Sequence, residues 1–305
     1  SLVLRITGSA MLRYADMQAD PVILSTKEHG FTNFIYPMLN RFNYLVSQVN
    51  INGKTFLLDA SHPRLGFGKL PDNCYNGHAR IVNKEAGSIE LVADSLKERK
   101  VTSLFISNTG KGLWSGAMKQ TLGYYESYAV RQKINEGGKE SFFKDVKKAY
   151  GIDVDITNPV IDSLNRLEDP VAIHYNIDLN IDKEDILYIS PMFGEAYNEN
   201  PFKSAERFYP VEMPYTSDET YLATIEIPAG YELDELPKSM KLKLNEEGEG
   251  YFEYMIAQSG RIISLRSRIK MNRATFQPEE YETLREFFNM VVAKQKEQIV
   301  FKKKK

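Results

Sequence analysis

The sequence holds one cysteine among its 305 residues, Cys74. No disulfide can form within the chain, so packing alone must stabilise it. Histidine is almost as scarce: His29, His62, His78 and His174 are the four present. Few combinations of them could act as a general base or as metal ligands. No stretch approaches the roughly 18 apolar residues of a membrane-crossing helix. Charge of one sign is lacking too, with 39 Lys and Arg against 41 Asp and Glu and a formal net charge of −2. That excludes the basic footprint of a nucleic-acid-binding domain. The one basic run, Lys302 to Lys305, reads as a solvated tail behind a helical pattern. No basic segment precedes Leu2-Val3-Leu4, so no export signal is expected in the sequence as given.

What is present suits a soluble globular protein of one large or two ordinary domains. Residues 1–17 read as a helix, weakened by Gly8, and Val22-Ile23-Leu24 reads as a short buried strand. Two apolar runs, 42–50 and 54–58, flank Asn52-Gly53, the strongest short-range signal for a β-hairpin. Residues 62–77 form a turn-rich loop with Pro63, Gly66, Gly68, Pro71 and Gly77. Strands are expected at 88–92, 101–107, 116–125, 172–179, 186–189, 221–227, 240–244, 251–257 and 261–271. In two of these the apolar residues alternate: Tyr221, Ala223, Ile225 and Ile227, then Ile263, Leu265, Ile269 and Met271. A charged helix, interrupted at Gly137-Gly138, is expected over 126–150. A second helix opens at Pro278 with Glu279 and Glu280 and carries the stripe Tyr281, Leu284, Phe288, Val291 and Val292.

Three blocks carry a family resemblance: AMLRYADMQADPVILST (10–26), FNYLVSQVNINGKTFLLDAS (42–61) and FGKLPDNCYNGHARIV (67–82). Together they resemble the second half of a bacterial transglutaminase-like core. The segments RFYPVEMPYTSDETYLATIEIPAGYELDELP (207–237) and YETLREFFNMVVAKQKEQIVFKK (281–303) resemble the β-rich domain of unknown function that trails such a core. The resemblance implies an α+β chain. Residues 1–86 would form a partial transglutaminase/papain-like core. Residues 87–305 would form a mainly antiparallel β-sandwich-like region with a helical insertion and a C-terminal helix. It also implies exported, periplasmic residence.

Such enzymes use a thiolate, a histidine base and an orienting carboxylate. By resemblance, Asp59 in Leu57-Leu58-Asp59-Ala60-Ser61 stands at the carboxylate position, and the histidine position falls on or beside Asn43. Asparagine exchanges no proton near neutral pH and cannot be the base. The cysteine position falls at or before Ser1, and Ser1 has no paired histidine to activate it. The resemblance makes Cys74 a structural cysteine.

Other constellations invite comparison. Cys74, His62, His78 and Asp59 lie close in sequence and could form a thiol triad, although the cysteine then follows the aspartate. The same histidines with Cys74 and Asp72 match no closed zinc spacing. Asp182, Glu184 and Asp185 lack the loop of a calcium site. Tyr124, Tyr125 and Tyr128, with Trp114, could make a carbohydrate or peptide platform, or simply pack. No cofactor and no metal is expected. The expected role is a non-catalytic binding scaffold with a protein or peptide partner, in which residues 1–60 mediate homodimerisation through an uncovered half-core. A truncated thiol acyl transferase or amide hydrolase and a β-rich interaction module are the alternatives.

Overall fold

The computed structural model describes residues 2–36, 38–108, 113–150, 153–180 and 184–304, with the side chains of 2–6, 113 and 180 outside that description. The chain divides into two compact units. The first comprises 1–96, 165–169 and 212–216; the second comprises 97–164, 170–211 and 217–305.

The first unit opens with helix α1 (Leu2–Tyr14), which lies against strands β1 (Ala19–Leu24) and β2 (Tyr44–Ile51). Strands β3 (Lys54–Leu58), β4 (Asn76–Ile81) and β5 (Ser88–Val92) complete a five-stranded antiparallel sheet in the order β3-β2-β1-β4-β5. The Asn52-Gly53 turn closes the β2–β3 hairpin in the register Ile51↔Lys54 and Ser47↔Leu58. Alternation along the strands sends Val22, Leu24, Tyr44, Val46, Ala79 and Leu91 into one core, where Leu70 and Cys74 of the long loop join them.

In the second unit, β6 (Lys97–Asn108) and β7 (Leu113–Thr121) form a hairpin and lead into helix α2 (Tyr124–Ala149). The helix is broken at Gly138, whose φ of 79° lies in the left-handed region open to glycine. Strands β8 (Val154–Asp162), β9 (Ala172–Asn180) and β10 (Ile186–Ile189) follow, then β11 (Thr216–Glu226), β12 (Tyr231–Glu235), β13 (Met240–Lys243), β14 (Gly250–Ser259) and β15 (Ile262–Met271). Helix α3 (Tyr281–Gln295) and strand β16 (Ile299–Lys303) close the chain. An eight-stranded sheet runs β13-β14-β15-β11-β6-β7-β9-β8, and a three-stranded sheet runs β10-β16-β12. The alternating residues of β11 and β15 meet in register, with Ala223 opposite Leu265 and Ile225 opposite Ile263, all buried.

Helix α3 starts as its sequence requires. Pro278 opens a 3₁₀ turn, and Gln277 and Glu280 bond reciprocally in a capping box. Its apolar face is buried, with Phe202 and Tyr197 edge-on to Phe288, and Gln295 Nε2 donates to Ser267 Oγ of β15 at 3.3 Å.

Three expectations are corrected. The α+β class with a partial papain-like core does not hold: 42% of the chain is strand and 22% helix. The described residues form three α-helices, and the first unit rests one of them on an antiparallel sheet. The Asn-Gly hairpin is real, but a hairpin is a local signal and does not specify what covers its sheet. Residues 122–125 are not strand, because β7 ends at Thr121 and α2 begins at Tyr124. Lys302 and Lys303 are not a loose tail. They end β16, the middle strand of its sheet, where Ile299 and Phe301 are fully buried.

The ring of Phe301 meets Trp114, the chain's sole tryptophan, edge-on at 5.9 Å. Phe301→Ala should cost about 3–5 kcal/mol through the cavity it leaves. Urea unfolding followed by Trp114 fluorescence measures this directly. A solvated tail would give a change within about 0.5 kcal/mol.

Candidate functional site

Asp59 follows the last residue of β3, and its side chain is fully buried. A carboxylate so placed needs donors, and the hairpin supplies them. Tyr44, at the start of β2, donates its phenol to Asp59 Oδ2 at 2.5 Å. The backbone N–H and hydroxyl of Ser61 reach Oδ1 at 2.8 and 2.6 Å. Burial, then the bond to Asp59, pushes the Tyr44 phenol well above its ordinary range, so it stays a donor. His62 Nε2 stands 3.9 Å from Asp59 Oδ2, outside hydrogen-bond reach.

Asn43 is turned to other work. Its Oδ1 accepts from the Thr26 N–H at 2.9 Å and its Nδ2 donates to Thr26 Oγ1 at 3.0 Å. The side chain ties the segment leaving β1 to the entry of β2. Cys74 is buried in the core cluster that also holds Leu24, Leu70 and Tyr44, with Sγ 3.8 Å from Asn73 Oδ1. That is not the electropositive, partly open setting of a reactive thiolate. His78 is buried and lies edge-on to Phe34 at 5.3 Å. Burial first and the Arg80 charge second lower its pKa. The structure thus gathers Asp59, Tyr44, Ser61 and His62, and engages Asn43 and His78 elsewhere. Among the described residues, no three His, Cys, Asp or Glu side chains converge as metal ligands would.

The acidic turn resolves partly. Glu184 accepts the Tyr231 phenol through its carbonyl at 2.6 Å, Asp185 pairs with Lys303 at 3.6 Å, and Asp182 lies outside the described residues. The aromatic platform is not assembled: Trp114 is wholly buried, Tyr125 packs inward, and the tyrosines stand on α2 rather than on a strand.

A second polar cluster, in the large sheet, escaped the sequence reading. Strand β6 turns Glu98, Lys100 and Thr102 to one face at period-two spacing. Glu98 accepts the N–H groups of Tyr124 and Tyr125 at 2.9 and 3.0 Å and so caps α2, at a point where a side chain on Gly123 would strike its carboxylate. Lys100 Nζ pairs with Glu195 at 3.0 Å, and Gln120 and Thr102 also donate to that carboxylate. Tyr197 donates to Glu219 at 3.3 Å. Burial lowers the Lys100 pKa, but Glu195, Glu126 and Glu219 outweigh it and hold the ammonium above its ordinary value. Burial raises Glu126 to about 7 against the pull of Lys100. The adjoining cavity of about 20 Å³, lined by Lys100, Glu195, Tyr197, Glu219, Ser267 and Gln295, has room for roughly one water and none for a peptide. The signal available beforehand was the alternation Glu98-x-Lys100-x-Thr102 in a strand.

The third feature is an apolar loop in the first unit. Phe31, Phe34, Ile35, Tyr36, Met38 and Leu39 are each between 49% and 81% exposed. Residues 32–36 are nevertheless pinned. Thr32 Oγ1 donates to the His78 carbonyl at 2.7 Å, and Asn33 Oδ1 accepts from the N–H groups of Ile35 and Tyr36 at 2.8 and 3.2 Å. Arg80 donates to the Phe34 carbonyl at 3.1 Å and lies over the Phe34 ring. Exposed apolar side chains held this way present a set surface.

The burial of Cys74 has a measurable consequence. A disulfide-exchange reagent should label it slowly in the native chain and rapidly in denaturant, with the native rate tracking local opening. Rapid native labelling would show that the thiol is accessible.

Residues 185–301 match a family model described as a domain of unknown function with a solved structure, DUF3858. No curated protein matches the chain. A solved structure it resembles is that of a candidate protease from Parabacteroides distasonis ATCC 8503, at 13% identity and a TM-score of 0.47. The similarity covers 96% of this chain and 42% of that one, so the chain spans less than half of that protein's length. The transglutaminase-like part of the resemblance has no counterpart in these matches, whereas the domain of unknown function falls where the β-rich region was expected.

Proposed function

We propose that this chain is a non-catalytic, β-rich binding scaffold that docks a protein or peptide partner through the loop at 31–39. The observation that carries the reading is the run of exposed apolar side chains held by Thr32, Asn33 and Arg80. An exposed apolar patch gains from being covered, because each covered side chain leaves water. The same loop lies within the segment expected to mediate homodimerisation, so a second copy of the chain is one such partner.

The polar residues support a structural role. Both Asp59 oxygens accept hydrogen bonds from Tyr44 and Ser61, Asn43 clips the backbone at Thr26, and Cys74 fills the core. None of these arrangements sets a thiolate beside a base.

Two assays on the purified chain test the reading. Amine incorporation into a glutamine peptide, and peptide-amide hydrolysis, should show no turnover that Cys74→Ala removes. Sedimentation over a wide concentration range should show self-association that Phe34→Ser, Ile35→Ser and Tyr36→Ser together weaken by about tenfold or more, the scale of two or three uncovered apolar side chains. Turnover lost with Cys74 would overturn the non-catalytic reading. Association unchanged in the triple variant would remove the loop from any dimer.

A further inference from the structure

We propose that the carboxylate cluster around Lys100 is a pH-sensitive device in the second unit: it is tight on the acid side of neutrality and loosens as the pH rises through it. The geometry is one cation among four acids brought from separate elements. Glu98 and Lys100 come from β6, Glu126 from α2, Glu219 from β11, and Glu195 from the segment between β10 and β11. Two acids are already committed. Glu98 takes the first N–H groups of α2, and Glu195 takes Lys100, Gln120 and Thr102. Glu219 has the Tyr197 phenol. Glu126 is left with a buried oxygen, Oε2, that has no hydrogen-bond partner.

One ammonium cannot neutralise four neighbouring carboxylates, and burial removes the water that would otherwise do so. A proton is the cheapest remaining neutraliser, and Glu126 is where it is held. The groups that face Glu126 account for its state: burial and the charges of Glu219, Glu98 and Glu195 favour the protonated form, and Lys100 opposes them. Burial raises Glu219 in the same direction.

The sign follows from proton binding. The folded chain keeps a proton on Glu126 up to about 7, whereas an unfolded glutamate releases it near 4.5. Between those values the folded state binds more protons, so stability falls as the pH rises through that window. A loosened cluster acts on α2, because Glu126 lies in its first turn beside the Glu98 cap.

The test uses the full chain. Urea unfolding is followed through Trp114 from about pH 5 to about pH 8, for the natural chain and for Glu126→Gln. The folded-to-unfolded ratio of the natural chain should fall by about seventyfold relative to Glu126→Gln across that range, the change that linkage gives for a carboxyl held at about 7 in the fold and near 4.5 unfolded. Lys100→Met should steepen the fall. Parallel pH profiles for the natural chain and Glu126→Gln would overturn the proposal. If Glu126→Gln does not fold, carboxyl-carbon NMR of the natural chain decides. A glutamate titrating near neutrality supports the device, and glutamates that all titrate in the ordinary carboxylate range overturn it.

Discussion

A carboxylate withdrawn from water must find donors, a cation or a proton, and in this chain that requirement organises the structure around each one. Asp59 takes donors: the Tyr44 phenol and the Ser61 N–H and hydroxyl tie both ends of the β2–β3 hairpin to the loop that follows. Glu98 takes backbone donors and fixes where α2 begins. Glu195 takes a cation, Lys100. An unmet buried charge costs several kcal/mol, against a total stability for an ordinary domain of only about 5–15 kcal/mol. These bonds are therefore conditions of the local fold rather than ornaments on it. A chain with one cysteine and no disulfide has no covalent substitute for them.

In a thiol acyl transferase the carboxylate orients a histidine, and the histidine activates the thiol. Here Tyr44, whose phenol burial holds protonated, and the serine two residues on both donate to Asp59. Asn43 precedes β2 and Tyr44 opens it, and the two neighbouring side chains go to different partners. One meets Thr26 and the other meets Asp59. Residues 31–36 carry exposed apolar side chains, and polar atoms of Thr32, Asn33 and Arg80 hold their backbone.

Local signals in the sequence were legible where one physical cause acted alone. Asn52-Gly53 fixed a hairpin, the alternation in β11 and β15 fixed which side chains face inward, and Pro278 with Glu280 fixed the start of α3. Legibility failed where the cause was distant. Ile299-Val300-Phe301 is a short apolar run squeezed between a helix and lysines, and only pairing with β10 and β12 makes it a strand. The inward face of β6 reads as ordinary surface charge until Glu195 and Glu219, more than ninety residues away, close over it. Fold class failed for a related reason: a hairpin motif says how two strands pair and not how many helices cover them.

The bond between Tyr44 and Asp59 joins the two open ends of the β2–β3 hairpin. A double-mutant cycle with Tyr44→Phe and Asp59→Asn, read as unfolding free energy, isolates their interaction. A bond of this kind should give a coupling of about 1.5–3 kcal/mol, the range for a hydrogen bond to a charged group. A coupling near zero, with Asp59→Asn instead coupled to a change at His62, would contradict it and return Asp59 to the role of an orienting carboxylate.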